Sequence, residues 1–175
     1  LADAPDDPQR SAERAVQLAR SGEVHALVRG ALSLDAMLAP VAAADSGLRT
    51  ARRLSHALFL DLPGQSRPLI AADAMLNVAP NLAAKKDIVR NTIAFARALG
   101  MAEPNVALLA AKGTITSAFP STSEAAALMS MAAQGAFPGA VVEGPMTADV
   151  ALSPEFARHA GQRSAVAGRA DHVGR

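Results

Sequence analysis

Helical and strand-like hydrophobic patterns alternate along this chain. Ala12, Val16 and Ala19 recur at helical spacing between charged residues, which predicts a first helix over 8–20. Ser21-Gly22 is a typical helix end. Further helices are predicted over 34–44, 83–99 and 124–134, and one begins at Ser153-Pro154. Short apolar runs predict strands over 24–29, 54–60, 69–73, 106–110 and 140–143.

Local signals refine these boundaries and indicate the fold class. Ser121-Thr122-Ser123-Glu124 has the sequence of a capping box ahead of the 124–134 helix. The runs 54–60 and 69–73 are close enough to form an antiparallel hairpin across a Pro63-Gly64 turn. Elsewhere strands and helices alternate, which favours an α/β fold with a largely parallel sheet.

Composition narrows the function classes. The 175 residues suit one ordinary domain or two small α/β lobes, and 50% are hydrophobic. The absence of cysteine excludes disulfides, thiolate metal sites and a cysteine nucleophile, and it fits a cytoplasmic protein. A net charge of +1 with interspersed signs favours neither nucleic acid nor a membrane surface as a partner. The four histidines show no metal-ligand spacing, so no metal site is expected.

Two segments suit an anion. Gly30-Ala31-Leu32-Ser33 joins a predicted strand to a helix whose first N–H groups and dipole favour negative charge, although an ordinary turn capped by Ser33 has the same spacing. Arg49 and Arg53 share a face if their segment is extended, next to Ser55. Guanidinium groups can fork onto phosphate oxygens, although a solvated basic loop would look the same.

Two further segments follow predicted strands. Asp73 and Asn77 lie at the end of the 69–73 strand, where open α/β sheets bind ligands, unless they only hydrogen-bond their own loop. Asp149 follows the 140–143 strand and could equally cap or solvate a helix. The residues alone therefore predict an α/β protein with an anion-binding cleft.

In order along the chain, short motifs resemble the phosphate acetyl/butyryltransferase family, especially the butyryltransferase-like branch found in fusions with enoyl-CoA hydratase-like domains. The matching pieces are Gly30–Ser33, Gly47–His56, Asp61–Gly64, Arg67–Leu69, Asp73–Pro80, Lys86–Val89, Asn91, Gly144-Pro145 with Asp149, and Ser164–Asp171. The resemblance implies a two-lobed isocitrate/isopropylmalate dehydrogenase-like fold. It also implies the conversion of acyl-CoA, acetyl or butyryl, and phosphate into acyl phosphate and CoA.

The resemblance also implies roles and partners. Ser33, Arg49, Arg53 and Ser55 are expected to contact phosphate or CoA phosphates, and Asp73, Asn77 and Asp149 to line the cleft. CoA is a substrate, no cofactor is required, and homo-oligomers are common in the family. We expect the lobes to span 1–82, with the phosphate-binding segments, and 83–175.

Departures from the family pattern lead to a further expectation. The family continues past the Ala170-Asp171 motif and carries a Ser-Arg-x-Asp-Ser motif near its C-terminus, which this sequence lacks. A carboxylate is usual in this branch where Gly113 stands. We therefore expect a chain incomplete at both ends, with the catalytic residues unidentified and activity weak or absent. The alternatives are a non-catalytic remnant that binds CoA or phosphate, and a fragment of an active enzyme.

Overall fold

The computed structural model describes residues 7–63, 67–161 and 164–174. The chain divides into two compact units, Leu1–Arg52 and Arg53–Arg175. The helices are α1 Pro8–Arg20, α2 Leu34–Ala42, α3 Leu82–Ala98, α4 Pro120–Ala133, α5 Ala148–Leu152 and α6 Pro154–His159. The strands are β1 Ala57–Leu60, β2 Leu69–Ala72, β3 Asn105–Leu109, β4 Val141–Met146 and β5 His172–Gly174.

The first unit packs α1 against α2. Asp7 caps α1 by accepting a hydrogen bond from the backbone N–H of Arg10, and Ala12 and Val16 form its buried stripe. The strand predicted over 24–29 is wrong, because the structure has irregular backbone there and Val28 is 92% exposed. Among residues 7–52 no other strand is present to supply ladder hydrogen bonds, so this apolar run cannot form a sheet.

The second unit contains a five-stranded sheet in the order β1-β2-β5-β3-β4. β1 and β2 pair antiparallel, with Ala57 opposite Ala72, and this confirms the predicted antiparallel pairing. Gly64 of the predicted Pro63-Gly64 turn lies outside the described residues. The pairs β2–β5, β5–β3 and β3–β4 are all parallel. The prediction of an α/β fold with a largely parallel sheet is confirmed.

The central strand β5 was not predicted from the sequence. It has three residues, and His172 lies in register with Ile70 of β2 and Val106 of β3. A run of three residues is too short to show a period-two pattern. It also begins with a histidine instead of an apolar residue, so it does not look like a strand in the sequence. The helix α5 was missed for the same reason, since it has five residues.

Alternate residues of the sheet contribute to two separate hydrophobic cores. Val106 and Leu108 pack with Val89 of α3 and Leu128 of α4 on one face. Ala107 belongs to the other core, which lies on the face covered by α5 and α6. This period-two alternation is what a strand covered on both faces requires. Both faces of the sheet are therefore covered, and the loops that follow β2, β3 and β4 lie at the C-terminal edge of its parallel strands.

The predicted capping box at Ser121–Glu124 is wrong. Helix α4 begins with Pro120, four residues before the predicted start at Glu124, and its N-cap residue Phe119 makes no side-chain capping bond. Thr122 is fully buried, and its Oγ1 accepts from the backbone N–H of Thr116 at 3.0 Å. Proline is preferred in the first turn of a helix, which moves the start ahead of the serine.

The lobe boundary predicted between residues 82 and 83 stays a prediction, as does the isocitrate/isopropylmalate dehydrogenase-like arrangement of the lobes. Within residues 7–63, 67–161 and 164–174, no helix has the length and apolar character needed to cross a bilayer.

Candidate functional site

Asp73 organises the loop that follows β2 at the C-terminal edge of the sheet. Its Oδ1 accepts from the backbone N–H groups of Met75 and Leu76, each at 3.0 Å. Its Oδ2 accepts from the backbone N–H of His56 at 3.1 Å and from Nδ2 of Asn77 at 2.6 Å. Four donors therefore converge on one carboxylate.

These four bonds fix the charge of Asp73. Burial alone would raise the pKa of Asp73, but the hydrogen bonds from Asn77, Leu76, His56 and Met75 outweigh it and hold that pKa below its usual value. A carboxylate held in its ionised form by four donors is a poor proton acceptor. Asp73 therefore hydrogen-bonds its own loop, and it also lines a cleft.

Asn77 links this loop to Arg53. Its Nδ2 also donates to the carbonyl of Leu54 at 3.1 Å, and its Oδ1 accepts from Nε of Arg53 at 2.5 Å. The backbone N–H of Arg53 donates to Oδ2 of Asp87 at 3.0 Å. The Arg53 side chain is exposed, and within the described part of the chain its two Nη groups have no hydrogen-bonding partner.

Ser55 joins the same network through helix α3. Nδ2 of Asn91 donates to Oγ of Ser55 at 2.9 Å and to the carbonyl of Arg53 at 2.8 Å. The structure thus brings together four of the predicted site residues, Arg53, Ser55, Asp73 and Asn77. We refer to these four residues as the Arg53 cluster.

Of the other three predicted residues, Ser33 and Arg49 belong to the first unit and Asp149 to the second. In the first unit, Ser33 caps α2 by accepting from the backbone N–H of Ala36 at 3.1 Å, and Arg49 is exposed in irregular backbone. Asp149 follows β4, which is separated from β2 by β5 and β3. A hydrogen bond from Thr147 and one from the Val150 N–H hold the pKa of Asp149 below its usual value.

A cleft of about 680 Å³ lies beside the Asp73 loop, between α3 and the start of α4. Its wall includes Asp73, Asn77, Lys85, Ile88 and Glu124. Nζ of Lys85 lies 2.6 Å from Oε2 of Glu124, and the Lys85 side chain is only 9% exposed. The cleft is large enough for part of a small-molecule ligand.

Sequence reasoning missed Lys85 and Glu124. Glu124 was assigned to a capping box instead. Lys85 had a readable signal, because it lies in the apolar stripe of α3 with Ile88, Val89 and Thr92. A charged residue on the buried face of a helix needs a partner, so this rule could have identified Lys85, although not Glu124 as its partner.

Comparison with known proteins shows which family the chain resembles over nearly its whole length. The profile of the family described as "Phosphate acetyl/butaryl transferase" matches residues 4–173. A phosphate acetyltransferase of Rhizobium meliloti is 46% identical over 160 residues, which is 91% of this chain and 51% of that protein. A phosphate butyryltransferase of Clostridium acetobutylicum is 36% identical over 163 residues, 93% of this chain and 54% of that protein.

A solved structure shares the fold. A branched-chain phosphotransacylase from Enterococcus faecalis V583 superposes with a TM-score of 0.86 at 28% sequence identity, covering 97% of this chain and 60% of that chain. The chain spans about half the length of the curated relatives it matches.

Proposed function

Because the chain belongs to the phosphate acetyl/butyryltransferase family, we propose that it binds acyl-CoA and phosphate for the transfer of an acetyl or butyryl group to phosphate. In that reaction a phosphate oxygen attacks the thioester carbonyl, the C–S bond breaks, and the CoA sulfur leaves and takes up a proton. The products are acyl phosphate and CoA. No metal or redox cofactor enters this reaction.

The Arg53 cluster is the observation that supports the proposal. Asn77 holds Nε of Arg53 and leaves both Nη groups without a partner in the described residues. A guanidinium fixed in this way can donate two parallel hydrogen bonds to a phosphate group. The Ser55 hydroxyl is tied to the same backbone through Asn91 and supplies a further donor.

The carboxylates of the cleft do not supply a catalytic base. Asp73 is saturated by four donors, and Glu124 is paired with Lys85. We therefore propose that turnover by this chain is weak or absent and that its residues bind and position ligands. The alternative, a non-catalytic remnant that retains CoA or phosphate binding, rests on the same cluster.

Further parts of the proposal rest on family membership. Ser33 and Arg49 are proposed as phosphate or CoA contacts on the first unit, and Asp149 as a cleft residue. A cytoplasmic location is proposed because the sequence has no cysteine, and assembly into a homo-oligomer is proposed because the family resemblance implies it.

Calorimetry and a coupled assay test the proposal together. The 175-residue chain is titrated with CoA, with inorganic phosphate and, as a control anion, with chloride at matched ionic strength. We expect saturable heat from CoA and phosphate and none from chloride. Acetyl-CoA or butyryl-CoA with phosphate should give little acyl phosphate. Absence of binding to both ligands overturns the proposal, and rapid turnover overturns the view that the chain only positions ligands.

A further inference from the structure

The cleft beside the Asp73 loop has the wrong charge for a phosphate. Its wall carries two carboxylates, Asp73 and Glu124, against one ammonium, Lys85. Glu124 already neutralises that ammonium at 2.6 Å. An anion placed here would face a net negative wall, which a partly desolvated site penalises strongly. The occupant of this cleft is therefore expected to be uncharged.

The Lys85–Glu124 pair nevertheless offers both a donor and an acceptor. An ammonium group has three N–H donors, and Glu124 is the only partner of Lys85 Nζ among the described residues. Oε1 of Glu124 has no hydrogen-bonding partner in that same part of the chain. An amide presents a carbonyl and an N–H and therefore complements such a pair. Ile88, Val78 and Pro80 add apolar surface around it.

We propose that this cleft binds the uncharged, amide-bearing pantetheine arm of the acyl-CoA, with Lys85 donating to an amide carbonyl and Glu124 accepting from an amide N–H. The inference rests on the proposed function. The two substrates then occupy two neighbouring sites. The charged phosphate group belongs at the Arg53 cluster, and the neutral arm lies on the other side of Asn77. Lys85 and Glu124 then act as binding and specificity residues.

The test uses pantetheine, which has the amides of CoA but no phosphate. Binding of pantetheine, CoA and inorganic phosphate is followed by ¹⁵N-resolved NMR titration of the full chain. The variant is Lys85→Met combined with Glu124→Met, because removing both partners avoids leaving one buried charge unpaired. We expect wild-type shifts at the Asp73 loop and the first turn of α4, and about tenfold weaker pantetheine binding in the double variant, the loss typical of two hydrogen bonds.

A matched control variant and the phosphate titration show whether the loss of affinity is specific to pantetheine and to the Lys85–Glu124 pair. Lys86→Met removes a charge from the neighbouring, half-buried position of the same helix and should leave the Kd for pantetheine unchanged. The Kd for phosphate should be unchanged in the double variant. The inference is overturned if wild-type protein binds CoA but not pantetheine, if the double variant keeps wild-type pantetheine affinity, or if it loses phosphate affinity instead. Pantetheine binding without CoA or phosphate binding overturns the proposed function and leaves the cleft assignment standing.

Discussion

Nδ2 of Asn77 donates to Oδ2 of Asp73 over 2.6 Å, and this bond connects the carboxylate that folds the loop to the guanidinium proposed to hold phosphate. Asn77 reaches Arg53 with its other side-chain atom, Oδ1. The amide therefore transmits the position of the Asp73 loop to the Arg53 side chain. Disruption of the Asp73 loop should consequently weaken phosphate binding at the cluster.

Replacement of Asp73 by alanine measures how much this carboxylate stabilises the loop. Asp73→Ala leaves three backbone N–H groups and the Asn77 amide without their acceptor. We expect the free energy of unfolding to fall by about 2 kcal/mol, the cost of unpaired donors around a lost charged acceptor. Urea denaturation measures it, with the exposed Asp61→Ala as a near-neutral control. Equal effects of the two substitutions would contradict the role assigned to Asp73.

The same carboxylate predicts a pH dependence. The folded state holds the pKa of Asp73 below its unfolded value of 3.8. Its contribution to stability is therefore present above pH 3.8 and is lost as the pH falls through the lower, folded value. In Asp73→Asn the difference from wild type should shrink as the pH falls through that range. A difference that stays constant across it would contradict the argument.

Arg53→Lys separates binding from stability. Lysine keeps the charge but cannot hold Asn77 and fork onto phosphate at the same time. We expect affinity for inorganic phosphate to fall about tenfold while the free energy of unfolding changes by less than about 0.5 kcal/mol, since the side chain is exposed. Arg52→Lys is the matched control, because Arg52 is an exposed neighbour outside the cluster. Equal loss in both variants would remove Arg53 from the site.

Four of the five strands were predictable from the sequence pattern, but the central strand β5 was not. Strands β1, β2, β3 and β4 are four to six residues long and each contains apolar residues in sequence, which is a strand signal. β5 occupies the middle of the sheet with three residues. Its position depends on long-range pairing with β2 and β3, which no local pattern contains.

The candidate site was predictable to a similar extent. Asp73 and Asn77 were identified because they follow a strand at the ligand-binding edge of the sheet. Their partner Arg53 was identified from its charge, although the bond from Arg53 to Asn77 was not. Lys85 and Glu124 were missed, because their pairing joins two helices and is 39 positions apart in sequence. Sequence reasoning therefore found the residues near strand ends and missed the pair formed by helix packing.

Gly144→Ala tests the close packing of β3 and β4. A Cβ atom added at Gly144 would lie 2.6 Å from both Cβ and the carbonyl oxygen of Leu108. The strands would have to separate, so we expect the free energy of unfolding to fall by about 2 kcal/mol. Gly30→Ala is the control, since nothing lies within 4 Å of its added Cβ. Urea midpoints compare the two, and equal stability would show that the strands relax freely.

Buried His172, in the central strand of the sheet, should make the stability of the protein sensitive to acid. Its side chain is 1% exposed, and within the described residues neither ring nitrogen has a hydrogen-bonding partner. Burial lowers the pKa of His172 from 6.5 to about 3. Below pH 6.5 His172 is protonated in the unfolded chain but stays neutral in the folded chain. The free energy of unfolding therefore falls as the pH drops from 6.5 towards 3. One such group contributes a slope of up to about 1.4 kcal/mol per pH unit.

His172→Leu should remove both the unpaired ring nitrogens and the loss of stability in acid that comes from His172. Leucine has a similar volume and leaves no unpaired nitrogen, so we expect higher stability at pH 7 by on the order of 1 kcal/mol. The difference should widen between pH 6.5 and 4.5, where the Asp73 carboxylate still stays ionised. Urea denaturation across this range measures it, and the exposed His159→Gln should keep the wild-type slope. If His172→Leu shows the wild-type slope instead, the folded protein must accept the proton at His172, and the central strand must open to water in acid.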